Sequence, residues 1–109
     1  MISPLEASVR PEADGARIVL TGRIDRDGDD AMTAAYATAR TTGSGPIVLD
    51  FAATGYINST GIALVVRLLA EARRDGRAVR AVGLTEHYRE IFRITRLSDF
   101  MEIVEGDAA

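Results

Sequence analysis

The sequence predicts one α/β domain over residues 1–109: a mixed central sheet of about five strands with three or more helices, in the order β-β-α-β-α-β-α-β. Three observations carry this. Alternating or unbroken apolar runs recur at 17–25, 46–51, 78–84 and 101–104, and segments with apolar spacing of three and four lie between them. Glycine, proline or helix-capping residues mark each boundary. Strands that alternate with helices pair largely in parallel, and right-handed crossovers follow.

The elements follow in chain order. A weak strand from Leu5 to Arg10 pairs with a stronger one, Arg17 to Asp25, across a turn at Glu12-Ala13-Asp14-Gly15. In the stronger strand Ile18, Leu20 and Ile24 alternate onto one face, with Arg17, Thr21 and Arg23 on the other. An alanine-rich helix from Asp29 to Thr41 carries Met32, Ala35, Tyr36 and Ala39 at helical spacing, and Gly43-Ser44-Gly45-Pro46 ends it. The run Ile47 to Phe51 is broken only by Asp50, as expected of a strand covered on both faces. The next helix, starting at about Gly61, puts Ile62, Val65, Val66 and Leu69 on one stripe. Gly76 suits its C′ position, and Arg73 and Arg74 suit the last turn, where the dipole favours cations. Ala78 to Leu84 is a strand, Thr85 caps a helix with Tyr88, Ile91 and Phe92, and Met101 to Val104 closes the sheet.

Composition narrows the function. A hydrophobic fraction of 47% and a charged fraction of 27% are those of a globular domain, and a formal charge of −3 argues against general nucleic-acid binding. Zero cysteines exclude a disulfide scaffold, a thiolate nucleophile and cysteine-ligated metal. No signal peptide pattern opens the sequence and no apolar run nears the roughly 20 residues that span a bilayer, so a cytoplasmic protein without membrane insertion is expected.

Chemistry concentrates at Asn58-Ser59-Thr60-Gly61, between a strand and a helix, where unpaired N–H groups and the dipole favour an anion. The plain alternative is an ordinary N-cap, for which Asn, Ser and Thr are common. Ser59 meets only half of a nucleophile elbow, with Ile57 and Gly61 at the two flanking positions. The acidic run Asp25 to Asp30 fails as a calcium loop, because Asp30 and Tyr36 stand where glycine and glutamate are required. His87 is the one histidine and reads as a surface residue, while Arg73, Arg74, Arg77 and Arg80 form a small basic patch. No catalytic set, metal site or cofactor is expected. On the helical wheel Leu64 and Leu68 fall opposite the apolar stripe, near Arg67 and Glu71, and suggest a partner surface. The alternative is a helix wedged deeply enough to bury both.

Taken together, Leu20-Thr21-Gly22-Arg23-Ile24-Asp25, Ile47-Val48-Leu49-Asp50-Phe51 and Tyr56-Ile57-Asn58-Ser59-Thr60-Gly61-Ile62 resemble the successive motifs of STAS domains, especially bacterial anti-sigma-factor antagonists. The tail Ile91 to Phe100 resembles that family's last helix and exit, so the resemblance covers nearly the whole chain. It implies a non-enzymatic switch. The unmodified form would bind an anti-sigma factor that is also a serine kinase and so free a sigma factor. Phosphorylation from ATP at Ser59, with Thr60 as second choice, would end binding, and a PP2C-type phosphatase would restore it. The expected partner-binding residues are Asp25, Asn58, Ser59, Thr60 and Gly61, together with Leu64 and Leu68 from the helical wheel; the resemblance implies that Asp25 helps present the serine. Asn58 departs from the family's usual aspartate and removes one negative charge. Alternatives are a non-phosphorylated STAS scaffold, in a lipid ABC transporter or a stressosome, and a small nucleotide-binding module.

Overall fold

The computed structural model describes residues 3–104. Its elements keep the expected order: β1 (Glu6–Glu12), β2 (Gly15–Ile24), α1 (Asp29–Ala39), β3 (Ile47–Ile57), α2 (Ser59–Arg74), β4 (Val79–Val82), α3 (Glu86–Ile94) and β5 (Glu102–Ile103). Short 3-10 turns at Arg26–Gly28 and Leu97–Asp99 precede α1 and β5. The sheet order is β1-β2-β3-β4-β5, with β1 and β2 antiparallel and every other pair parallel. From β2 onward each connection steps one strand in the same direction. Right-handed crossovers that never reverse direction put all their helices on one face.

The core lies on that face. Ile18, Leu20, Leu49 and Phe51 from the sheet join Met32, Val65, Leu68 and Phe92 from the helices in one cluster, where Phe51 meets Phe92 edge-to-face at 5.8 Å. This corrects the expectation that β3 is covered on both faces. Val48 points away from the core cluster, yet is only 8% exposed. Its register partners are Arg17 and Arg80, so two arginine stems flank it where a second helix layer was expected. The arginine heads are held in place: Arg17 binds Glu12 and Asp50 at 2.6 and 2.7 Å, and Arg80 binds Glu102 at 3.1 Å.

β3 runs six residues past Phe51, to Ile57. Ala52-Ala53-Thr54-Gly55 has little strand character of its own. The ladder to β2 carries it as far as the Ile24–Ile57 pair, and the Thr54 hydroxyl donates to the Leu20 carbonyl at 2.9 Å. The register shifts on either side of Gly22, which has φ +100°. A Cβ there would come within 2.5 Å of the Ser3 and Pro4 carbonyl oxygens, so glycine is required on both counts.

α2 departs most from expectation. It begins at Ser59, two residues early, and buries Leu64, Val65, Leu68, Leu69 and Ala72, while Val66 is 48% exposed. Leu64 and Leu68 are therefore core residues and not an outer partner surface. The reason is lateral: α1 packs beside α2, and Leu64 and Leu68 line the seam with Met32 and Tyr36. A helix touched by both a sheet and a neighbour buries a wider arc than a stripe fitted to the sheet alone. Gly76 ends α2 as expected, in a Schellman arrangement: Arg77 N–H donates to the Ala72 carbonyl at 2.9 Å and Gly76 N–H to Arg73 at 3.1 Å.

Polar clasps fix the two helices. The Tyr36 hydroxyl donates to Asp75 at 2.7 Å and Arg40 reaches the same carboxylate at 2.9 Å, while Arg67 pairs with Asp29. Arg77 is not part of a surface patch. It is 8% exposed, and its guanidinium donates to the carbonyls of Ala39, Arg40, Thr42 and Gly45, closing the C-terminal end of α1.

Candidate functional site at the start of helix α2

A single residue makes the turn from β3 into α2. Asn58 is extended, at φ −97° and ψ −176°, and its Oδ1 accepts from the Gly61 N–H at 2.8 Å. Its own N–H donates to the Ile24 carbonyl at 3.2 Å. Side-chain capping on one side and strand pairing on the other leave the turn little freedom. Gly61 is buried against the end of β2, where a Cβ would sit 2.0 Å from the Ile24 carbonyl oxygen. The first turn of α2 thus lies directly on backbone, closer than any other residue type permits.

Ser59 and Thr60 occupy the first two helical positions, and both are exposed. Their backbone N–H groups have no acceptor within the helix and face outward at its positive end. The two hydroxyls point along different arcs. Residues 4, 7 and 11 positions after Ser59 are Ala63, Val66 and Ala70, all exposed and within about 40° of it on the wheel. The same steps from Thr60 reach Leu64, Arg67 and Glu71, which line the seam with α1. Ser59 therefore heads the open apolar line of α2, and Thr60 borders a contact already made.

Asp25 follows Ile24 at the end of β2, and Ile24 pairs with Ile57, so Asp25 and Asn58 leave neighbouring strand ends. Both residues therefore stand at the carboxyl edge of the parallel strands. The Asp25 carboxylate accepts from the Asp27 N–H at 3.0 Å and from Arg23 Nε at 2.8 Å, capping the 3-10 turn that leads into α1. On the other side, the Tyr88 hydroxyl accepts from the Ile57 N–H at 2.9 Å and ties α3 to the turn. Its neighbour His87 is exposed.

Asp25, Asn58, Ser59, Thr60 and Gly61 thus come together at one edge, and Leu64 and Leu68 do not join them. The apolar residues beside Ser59 are Ala63, Ala70 and Val66; the apolar stripe read from the sequence omits the first two, and Val66, expected on that buried stripe, is half exposed. A wheel centred on Ser59, and not on the largest side chains, finds them. Tyr88 gave no signal, because its hydrogen bond spans 31 residues of sequence.

The family described as "Mlab, STAS domain" matches residues 7–105. Among solved structures, an anti-sigma factor antagonist from Mycobacterium paratuberculosis is similar at 15% identity and a TM-score of 0.75, over 97% of this chain and 92% of that one. The Bacillus cell fate determinant SpoIIAA, in its phosphorylated form, is similar at 18% and 0.68, over 91% of each chain. An anti-sigma-factor antagonist (STAS) domain protein from Planctomyces limnophilus is similar at 14% and 0.73, over 94% and 92%. At these identities the likeness is one of fold. No curated protein matches the sequence.

Proposed function

Since the chain belongs to the STAS domain family, we propose that it is a non-enzymatic partner switch, an anti-sigma-factor antagonist controlled at Ser59. Unmodified, it binds an anti-sigma factor with serine kinase activity and thereby frees a sigma factor. Phosphorylation of Ser59 ends that binding, and a PP2C-type phosphatase resets it. One observation carries the reading: Ser59 is exposed at the first position of α2, at the head of the open line Ala63, Val66 and Ala70. SpoIIAA, a protein of the same fold, exists in unphosphorylated and phosphorylated forms.

The physics of such a switch is local. A phosphate adds about −1.5 to −2 charge at a helix start that favours anions, so the fold tolerates it. A partner seated on Ala63 and Val66 would have to desolvate that charge or withdraw. A loss of ~3 kcal/mol weakens binding more than a hundredfold. Asn58, which caps Gly61, fixes the turn that a kinase must read.

The test pairs binding with modification. Wild type and Ser59→Ala should capture the cognate anti-sigma factor equally, and Ser59→Asp should not. Mass spectrometry after incubation with that kinase and ATP should place phosphate on Ser59. A chain that stays unmodified at both Ser59 and Thr60 refutes the switch. A second reading, a STAS scaffold subunit that is never phosphorylated, is favoured by Asn58, which leaves no carboxylate beside Ser59 in the turn. Stable co-purification with a transporter ATPase and no kinase would support it.

A further inference from the structure

The far end of the α2 outer face opens into a slot. It has a volume of about 290 Å³ and lies between Val66, Leu69, Ala70 and Arg73 of α2 and Leu97 and Phe100 beyond α3. Val66 and Phe100 are 48% and 57% exposed and lie on the two sides of this slot, so their apolar surfaces adjoin. The rim has the opposite sign to the chain as a whole. The Arg73 guanidinium stacks 5.8 Å from the Phe100 ring and makes no ion pair among the described residues, and Arg96 also borders the slot. No acid among the described residues lines the slot; Arg96 is paired with Asp99 at 2.7 Å, so Arg73 carries the open positive charge. The net charge of the chain is −3, so this is a basic, apolar-floored spot on an acidic protein.

We propose that this slot is a docking site for an acidic amphipathic helix of a partner protein. One leucine or phenylalanine enters between Val66 and Phe100, and a carboxylate one turn away pairs with Arg73. A slot between helix ends accepts the ridge of another helix, with anchors at i and i+4. Complementary charge at the rim then sets partner choice and encounter rate. A second copy of the chain and a basic partner are the competing occupants. The proposal goes beyond the switch and does not depend on modification of Ser59, which lies about 10 Å along the helix from Val66.

The test uses the full chain, labelled with 15N, and two synthetic 18-residue helical peptides. They share one leucine stripe and differ only in flanking glutamates or lysines. The glutamate peptide should shift the amide signals of Val66, Ala70, Arg73, Leu97 and Phe100 and bind at least tenfold more tightly than the lysine peptide. That preference should shrink several-fold at 0.5 M salt. Arg73→Glu with Arg96→Glu should reverse the preference, and Phe100→Ser should abolish binding without unfolding the domain. Ser59→Ala should leave peptide affinity within twofold of wild type, so loss of the Ser59 switch and loss of the slot are separate results. Equal binding of both peptides, shifts centred elsewhere, or signals that move on dilution of the protein alone would each overturn the proposal.

Discussion

Replacing Leu68 by alanine separates the two readings of helix α2. If Leu68 belonged to a partner surface, its truncation would cost little stability and much affinity. Here the side chain is 3% exposed and packed in the seam between α1 and α2 with Leu64, Met32 and Tyr36. Leucine-to-alanine changes at buried sites cost about 2–5 kcal/mol, the upper end applying where the surroundings cannot close. The seam already has an open hollow of about 150 Å³, which lets neighbours and water relax into the gap. A cost of about 3 kcal/mol is therefore expected. For a domain of this size each kcal/mol shifts Tm by about 4–8 °C, so Leu68→Ala should melt roughly 15 °C below wild type. Val66→Ala is the control. That side chain is half exposed, and its truncation should cost under about 1 kcal/mol. Thermal and urea melts followed by circular dichroism measure both. If Leu68→Ala costs less than about 1 kcal/mol, or Val66→Ala costs the more of the two, the burial argument fails.

Other expectations follow from single contacts. Asn58→Ala removes the acceptor for the Gly61 N–H and should cost about 1 kcal/mol in urea melts, whereas Asn58→Asp keeps the cap and should gain a few tenths of a kcal/mol near neutral pH. Burial, and then the hydrogen bond to Asp75, push the Tyr36 phenol up to about 12. A raised value means stability that is full below the ordinary pKa of about 10 and lost as pH rises through the folded value, roughly 3 kcal/mol over two units. Tyr36→Phe should remove that alkaline loss, as read from melts between pH 9 and 12. The Tyr36 hydrogen bond first, and Arg40 after it, hold the Asp75 carboxyl below its usual range. Its contribution is therefore present above the ordinary carboxylate pKa and lost on acidification, and Asp75→Asn should flatten the acid limb. Arg77→Met strips several part-buried carbonyls of their donor and should cost about 2 kcal/mol by the same melts.

The legible parts of the sequence were those set by local chemistry. Ile18, Leu20 and Ile24 alternate because β2 has a core face and an outer face, and Asn58, Thr85 and Gly76 each terminate a helix by the rule for their residue type. The illegible parts were set by neighbours distant in sequence. Residues 52–57 form strand because β2 supplies a partner, not because alanine and glycine favour it. Val48 looks like a doubly covered position but is shielded by the stems of Arg17 and Arg80. Arg77 reads as surface charge and in fact closes the end of α1, three dozen residues away. In each case a tertiary contact overrode the local signal.

The same distinction locates the surface a partner can use. Strand order that never reverses puts all the helices in one layer, and α2 lies between α1 on one flank and the Leu97–Asp99 turn on the other. A helix in the middle of a layer buries its sheet face and one flank completely, so only a narrow arc stays open. In α2 that arc is Ser59, Ala63, Val66 and Ala70, running from the Asn58 turn to the slot beside Phe100. Small residues near Ser59 let a partner come close to the backbone where a phosphate would stand in its way. The deeper, basic end near Arg73 offers an anchor. If one partner uses both the proposed switch and the proposed slot, anchoring and switching are separable along one helix: contacts at the Phe100 end would hold the partner, and charge at Ser59 would weaken that hold. A partner that lost its grip on Ser59→Asp yet kept the slot contacts would bind weakly, not vanish, and titration of that variant would measure the split.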